Sequence, residues 1–448
     1  MKRTGSHSIT ITFHLSVNPD TGSVNLRAGV FDRISKYKCL LTEEIRRVTE
    51  VTAPAMLECF TPAVAAQAIR LRSLVLLPPN AEDINPSSTS LAFPALAHLE
   101  FRAACRGLPT PLLCETLRTL VVQPARSDVW HHPDRAQGLD VLDLLPALCR
   151  MPLLESLDVS ILDTMATLAD SGNVPAPHLR NVRIAGAASV CTYFLQHVAL
   201  PPDARLAVDC TARDFMYRGV PIAVPHAMAT QLHDSHSALH APCEAFSIED
   251  ADGGHVLCGW RRADERFAAD TADVVLRCAP YELAPYLGVL LRPSTLGDVE
   301  HVRIACAHLD QYVLYNGFTE IARRAGVRNL VLDGVKAGMV LRLLPITAAA
   351  SVTLMSIKFE PSGPAYAKHW EANMARKPTF FVQDQPDSVE ELARLLAKET
   401  AEERAMRRLQ IMRVKNVRAD DVERLRPHVV ELSWDGVEAM DLSYDSTD

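Results

Sequence analysis

A six-residue phrase, apolar-x-x-apolar-x-apolar, recurs along nearly the whole 448-residue chain, and no other feature narrows the possible folds as much. Clear copies are Leu71-Arg-Ser-Leu74-Val-Leu76, Leu96-Ala-His-Leu99-Glu-Phe101, Leu117-Arg-Thr-Leu120-Val-Val122, Leu154-Glu-Ser-Leu157-Asp-Val159 and Leu179-Arg-Asn-Val182-Arg-Ile184. The second half continues with copies starting at Val299, Val327, Leu354, Leu409 and Val429, and weaker ones start at Val48, Asp203, Cys243, Thr271 and Lys377. From Cys243 to Thr271, Val299 and Val327 each step is 28 residues, and the next, to Leu354, is 27. Most steps fall in the ~20–29-residue window of leucine-rich repeats.

The physics of the phrase is that of a short strand. Its last two apolar positions fall on one face, because side chains alternate with period two, and the first packs at the turn leading in. Amphipathic stretches at Val141–Cys149, Ser189–Val198, Ile321–Ala325 and Ser388–Arg408 read as helices between strands. Neither a strand nor its following helix buries its apolar side alone, so neighbours must stack. Proline outnumbers glycine, 29 to 19, and Pro94, Pro152, Pro177, Pro202 and Pro242 stand just before a phrase. There a fixed φ favours extended backbone. The expected fold is therefore α/β: an irregular leucine-rich-repeat solenoid, a horseshoe with short parallel strands on its concave side and helices on its convex side. The repeats are irregular because the usual turn Asn or Cys is replaced, at Ala104, Ala125, Leu162, Ala187, Ala307 and Val335. The expected organisation is an N-terminal strand or cap over 1–44, repeats over 45–436 with insertions at about 123–138 and 211–242, and an acidic tail over 437–448.

Composition removes several function classes. With 48% hydrophobic and 22% charged residues the chain has enough apolar surface to fold, and a net charge of −8 argues against a nucleic-acid grip. No apolar run reaches the ~18 residues of a membrane span. Eleven cysteines without a CxxC pair read as reduced, buried thiols, pointing to the cytoplasm or nucleus.

The stretches between phrases resemble a known family. Leu139-Asp-Val-Leu-Asp-Leu-Leu-Pro-Ala-Leu-Cys-Arg-Met-Pro-Leu-Leu-Glu-Ser-Leu157 is similar to the helix, small group, proline, strand unit of basidiomycete-type fungal F-box proteins. So are Tyr193-Phe-Leu-Gln-His-Val-Ala-Leu-Pro-Pro202 and Leu425-Arg-Pro-His-Val-Val-Glu-Leu-Ser-Trp-Asp-Gly436. The resemblance runs from about Ile45 to Gly436 and lies in pattern more than in fixed motifs. It implies a repeat region that recruits a target protein for a cullin-type ubiquitin ligase, with a Skp1-type adaptor held by an F-box. The chain instead opens with the alternating Ser8-Ile-Thr-Ile-Thr-Phe-His-Leu15 and lacks the helical F-box pattern with its Leu-Pro-x-Glu-like opening. The expectation is either truncation upstream or a repeat-only paralogue, so adaptor docking would require an upstream F-box.

The search for chemistry leaves no enzyme constellation: GxxxxGK[ST], GxGxxG and GxSxG are absent. His233, His236 and His240 share one helical face, but no second ligand cluster with zinc-site spacing accompanies them, so they read as a solvated face. His131, His132 and Asp134 read as a surface loop. Glu391, Lys398, Glu402 and Arg404 mark a solvated helix face. The sequence therefore assigns no catalytic residue, cofactor or metal. It leaves the exposed strand positions beside the inward apolar ones, namely Glu100, Asp158 and Arg183 in the first half and Arg303, Lys358 and Arg413 in the second. These give an expected face that leans acidic at one end and basic at the other, suited to a protein partner.

Overall fold

The turn that leads into each phrase explains why proline is common there. In the computed structural model Leu96 N donates to Phe93 O at 3.4 Å, Leu154 N to Met151 O at 3.0 Å and Leu179 N to Ala176 O at 3.2 Å. These are β-turns with Pro94, Pro152 and Pro177 at the second position, which favours a φ near that of proline. The fourth residue of each turn is the first apolar residue of the phrase, and Leu96 and Leu179 are fully buried. The structure describes residues 9–12, 45–54, 62–77, 93–101, 112–123, 139–161, 173–201, 203–210, 243–251, 254–262, 267, 271–278, 299–306, 327–345, 349–359, 389–401 and 406–438. The chain divides into two compact units, Met1–His240 and Ala241–Asp448.

The first unit contains β1 (Ile9–Thr12), β2 (Val48–Pro54), β3 (Ser73–Leu77), β4 (His98–Phe101), β5 (Thr119–Val122), β6 (Ser156–Ser160), β7 (Val174–Pro175), β8 (Asn181–Ala185), β9 (Val198–Ala199) and β10 (Arg205–Asp209). Its helices are α1 (Pro62–Gln67), α2 (Val141–Leu148) and α3 (Ala188–His197). The sheet runs β1-β2-β3-β4-β5-β6-β8-β10, every adjacent pair parallel, with β7 and β9 forming a separate two-stranded ladder. The phrases fall in register: Leu74 stands beside Leu99, Leu99 beside Leu120, Leu120 beside Leu157 and Leu157 beside Val182. All are buried, each worth about 1.5–3 kcal/mol of transfer free energy. Helix α2 starts where expected because the Asp140 carboxylate accepts from Leu142 N at 2.9 Å, capping its first turn.

Among the described residues, backbone groups pair with one another on either side of the strands. The carbonyl of Arg72 accepts from both Ala97 N and His98 N, that of Ala97 from Arg118 N and Thr119 N, and that of Arg118 from Glu155 N and Ser156 N. Beyond the strands, Gln123 N donates to Phe101 O, Ile161 N to Ala185 O and Gly186 N to Asp209 O. These bonds satisfy the backbone groups concerned without side-chain amides.

The second unit contains β11 (Ala245–Ala251), β12 (Gly254–Trp260), β13 (Val274–Cys278), β14 (His301–Ala305), β15 (Asn329–Asp333), β16 (Ser351–Met355), β17 (Met406–Met412) and β18 (Val429–Trp434). Helices α4 (Ala337–Leu343), α5 (Val389–Ala401) and α6 (Ala419–Leu425) accompany them. Strand order is β13-β12-β11-β14-β15-β16-β17-β18. Pairs β11–β12 and β12–β13 are antiparallel, and the others are parallel. The regular 28-residue spacing therefore does not mark successive stacked units: β13 and β14 follow one another in the chain but have two strands, β12 and β11, between them in the sheet. The chain is a mixed α/β protein with mostly parallel sheet.

Two phrases start earlier than the sequence pattern indicates. The inward residues of β16 are Val352 and Leu354, preceded by buried Ala349, and those of β17 are Leu409 and Ile411, preceded by buried Met406. The phrases drawn at Leu354 and Leu409 follow apolar residues that pack after the strands, Ile357, Phe359 and Val414, all buried. Of the helix expected over Ser388–Arg408 the described part is Val389–Ala401, and Met406–Arg408 belongs to β17, where Leu409 and Ile411 alternate inward. After β17, Asn416 is 2% exposed with φ +62, and its Nδ2 donates to Phe359 O at 2.7 Å.

Candidate functional site

The half-exposed residues between the inward apolar ones also line up. Across the first unit one row reads Thr52, Val75, Glu100, Val121, Asp158, Arg183 and Ala207. Three predicted residues, Glu100, Asp158 and Arg183, thus stand on one face of one sheet. His98, on the same strand, places Nε2 3.5 Å from Glu100 Oε2. Gln123 Nε2 donates to Asp158 Oδ2 at 2.7 Å, and Arg183 Nε lies 4.0 Å from Asp158 Oδ1. Partial burial pushes the Asp158 carboxyl above the ordinary aspartate range, Arg183 and the Gln123 hydrogen bond pull it down, and the Glu100 charge raises it further. The row joins apolar patches at Val75, Val121 and Ala207 to a charged group of both signs, which offers shape and charge to a protein surface.

The second unit does not form the expected basic row. Its corresponding row is Ser247, Arg303, Val331, Thr353, Gln410 and Ser433. Arg303 lies between two carboxylates, Nη1 3.4 Å from Glu249 Oε1 and Nη2 3.0 Å from Asp333 Oδ2, so its charge is locally compensated. Lys358 is half-buried in an isolated bridge with Lys415 after β16. Arg413 is exposed on a turn with φ +52, its backbone N–H donating to the Asp435 carboxylate. Part of this face is also covered by a small apolar cluster of Ala245, Cys258, Trp260 and Ala272, with Phe267 edge-on to Trp260 at 5.6 Å.

The other candidates divide. His131, His132, Asp134, His233, His236, His240, Glu402, Arg404 and the tail over 441–448 lie outside the described residues. Glu391 and Lys398 are on α5, whose buried side is Val389, Leu392 and Leu396. No disulfide joins the described cysteines to one another. Burial pushes the Cys243 thiol up to about 12 and the Cys258 thiol up to about 11, which makes both poor nucleophiles. Among the described residues no helix is long and apolar enough to cross a membrane.

One cluster was not anticipated from the sequence. Asp250 on β11, His255 on β12 and Cys306 just after β14 bring one ligand-capable atom each to within 4.8 Å of one another. The antiparallel register sets Asp250 opposite His255, and the parallel register, which pairs Glu249 with Ala305, makes Cys306 the next neighbour of Asp250. The Asp252-Gly253-Gly254 sequence is a hairpin signal that could have foretold the first pairing. No protein-family model matches the chain, and no match to it was found among curated proteins either.

Proposed function

We propose that the protein is a non-enzymatic, protein-binding repeat module: an irregular leucine-rich-repeat solenoid whose strand faces hold a protein partner. The observation that carries this reading is the in-register row of the first unit, where Glu100, Asp158 and Arg183 are interleaved with Val75 and Val121 on a face that is only partly buried. A row of this kind reads a complementary protein surface through scattered side chains rather than through one pocket. The resemblance of the segments between phrases to basidiomycete-type F-box proteins supports a target-recruiting role in ubiquitination. In that setting a Skp1-type adaptor would be engaged through an F-box upstream of the repeats.

Affinity capture from the native cell type tests the reading. Wild type should retain a partner that the triple variant Glu100→Lys, Asp158→Lys, Arg183→Glu loses, while Glu391→Lys on α5 keeps it, all three proteins showing folded circular dichroism. Retention by the triple variant would overturn the assignment of the face. Capture of a Skp1-type adaptor by the full transcript product would tie the module to ubiquitination. A partner recovered without adaptor would instead make it a repeat scaffold.

A further inference from the structure

We propose that Asp250, His255 and Cys306 form a binding site for a zinc-like divalent transition metal. The argument begins with the face on which the three side chains lie. Along β11, Phe246 and Ile248 point into the core and Asp250 is the next residue on that face. Along β14, Val302 and Ile304 do the same and Cys306 follows, and on β12 Leu257 is followed outward by His255. Three neighbouring strands thus end their apolar rows together, with a carboxylate, an imidazole and a thiol. These are the three side-chain types that bind zinc, whose ligand distances of about 2.0–2.3 Å bring donor atoms as close together as these are.

A second observation concerns His255 alone. The residue is 6% exposed, and its Nδ1 is buried without a hydrogen bond. Asp250 Oδ1 lies 3.1 Å away. A buried ring nitrogen this close to a carboxylate oxygen has the spacing of two ligands that share a third centre. Leaving such a nitrogen unpaired is unfavourable, and a metal bond would offset that cost.

Charge and access agree with this assignment. A carboxylate, a neutral imidazole and a thiolate together carry two negative charges, which a divalent cation cancels in a site of low polarity. Cys306 is 1% exposed, so a role as nucleophile toward a large substrate is disfavoured, whereas Asp250 is exposed and gives an ion a way in. Binding replaces the S–H bond of Cys306 by a metal–sulfur bond, and the proton leaves to solvent. Three protein ligands leave the fourth tetrahedral position to water or to another side chain.

Titration of the full-length, chelator-treated and reduced protein with Co(II), followed by displacement with Zn(II), tests the site. The expected result is saturation at one equivalent, a thiolate-to-cobalt charge-transfer band in the near ultraviolet, and one proton released per metal in weak buffer. The exposed-thiol variant Cys149→Ser should behave as wild type. Cys306→Ser should lose the charge-transfer band, and Asp250→Asn or His255→Gln should weaken binding by at least about tenfold. If Cys306→Ser does not fold by circular dichroism, Asp250→Asn decides the matter, because its side chain is exposed. Absence of the band in folded wild type, or binding unchanged in Asp250→Asn, would overturn the proposal.

Discussion

The carbonyl oxygen of Ile161 stands 2.7 Å from the place a side-chain carbon on Gly186 would occupy. Gly186 follows β8, and its N–H donates to Asp209 O at 3.0 Å, so the chain is pinned from the other side as well. A backbone oxygen has no rotamer with which to retreat. Gly186→Ala should therefore cost about 1–3 kcal/mol, as overpacking does. Its urea midpoint should fall while the slope of the transition stays the same. An unchanged midpoint would show that the neighbouring backbone yields.

Asn416 serves two purposes that substitution can separate. Asn416→Gly keeps a residue tolerant of its positive φ but leaves Phe359 O without the side-chain donor, a loss of about 1–3 kcal/mol. Asn416→Ala should cost about 1 kcal/mol more, since a Cβ disfavours the left-handed region. Equal midpoints for the two variants would contradict the conformational part of the argument.

Much of the first unit could be read directly from its side-chain period. Leu99 and Phe101, or Val182 and Ile184, declare strands because every second residue is apolar and the residues between are not. The second unit resisted the same reading for local reasons. Ala349 is a small first residue and Met406 follows a long helix, so the eye settles on Ile357 and Phe359, buried but after β16, or on half-buried Met412 at the end of β17 and buried Val414 beyond it. Strand β12 fell inside an evenly spaced 28-residue step, and that regularity masked the hairpin. The cluster of Asp250, His255 and Cys306 was hidden for a further reason: it depends on β11 pairing with β14, across an order that chain sequence does not state. Glu100, Asp158 and Arg183 were legible because one register error would have turned their apolar neighbours outward.

Asp158 should leave a signature in the pH dependence of stability. Its carboxyl is raised by burial, so the folded chain holds the proton more readily than the unfolded chain does. The associated stability is full below the ordinary aspartate range and is lost as pH rises through the folded value. Asp158→Asn removes that loss and can still accept from Gln123. Relative to wild type, the variant should gain stability as pH goes from acid to neutral. Urea midpoints whose difference does not change with pH would contradict this.

Arg303 should behave as a clamp between strands more than as a free surface charge. Arg303→Met leaves Glu249 and Asp333 without their shared guanidinium, at a cost of about 1–2 kcal/mol for these partly buried pairs. The cost should shrink in an Asp333→Asn background, a coupling that a double-mutant cycle measures. Strictly additive effects would show that the pairing contributes nothing.

The claim that the row of the first unit holds a protein partner is tested most directly by carboxyl footprinting of the captured complex. Carbodiimide labelling followed by mass spectrometry should show Glu100 and Asp158 losing reactivity when the partner is bound, while Glu423 on α6, which lies in the second unit, reacts as in the free protein. Protection of Glu423 with Glu100 and Asp158 as reactive as before would contradict it.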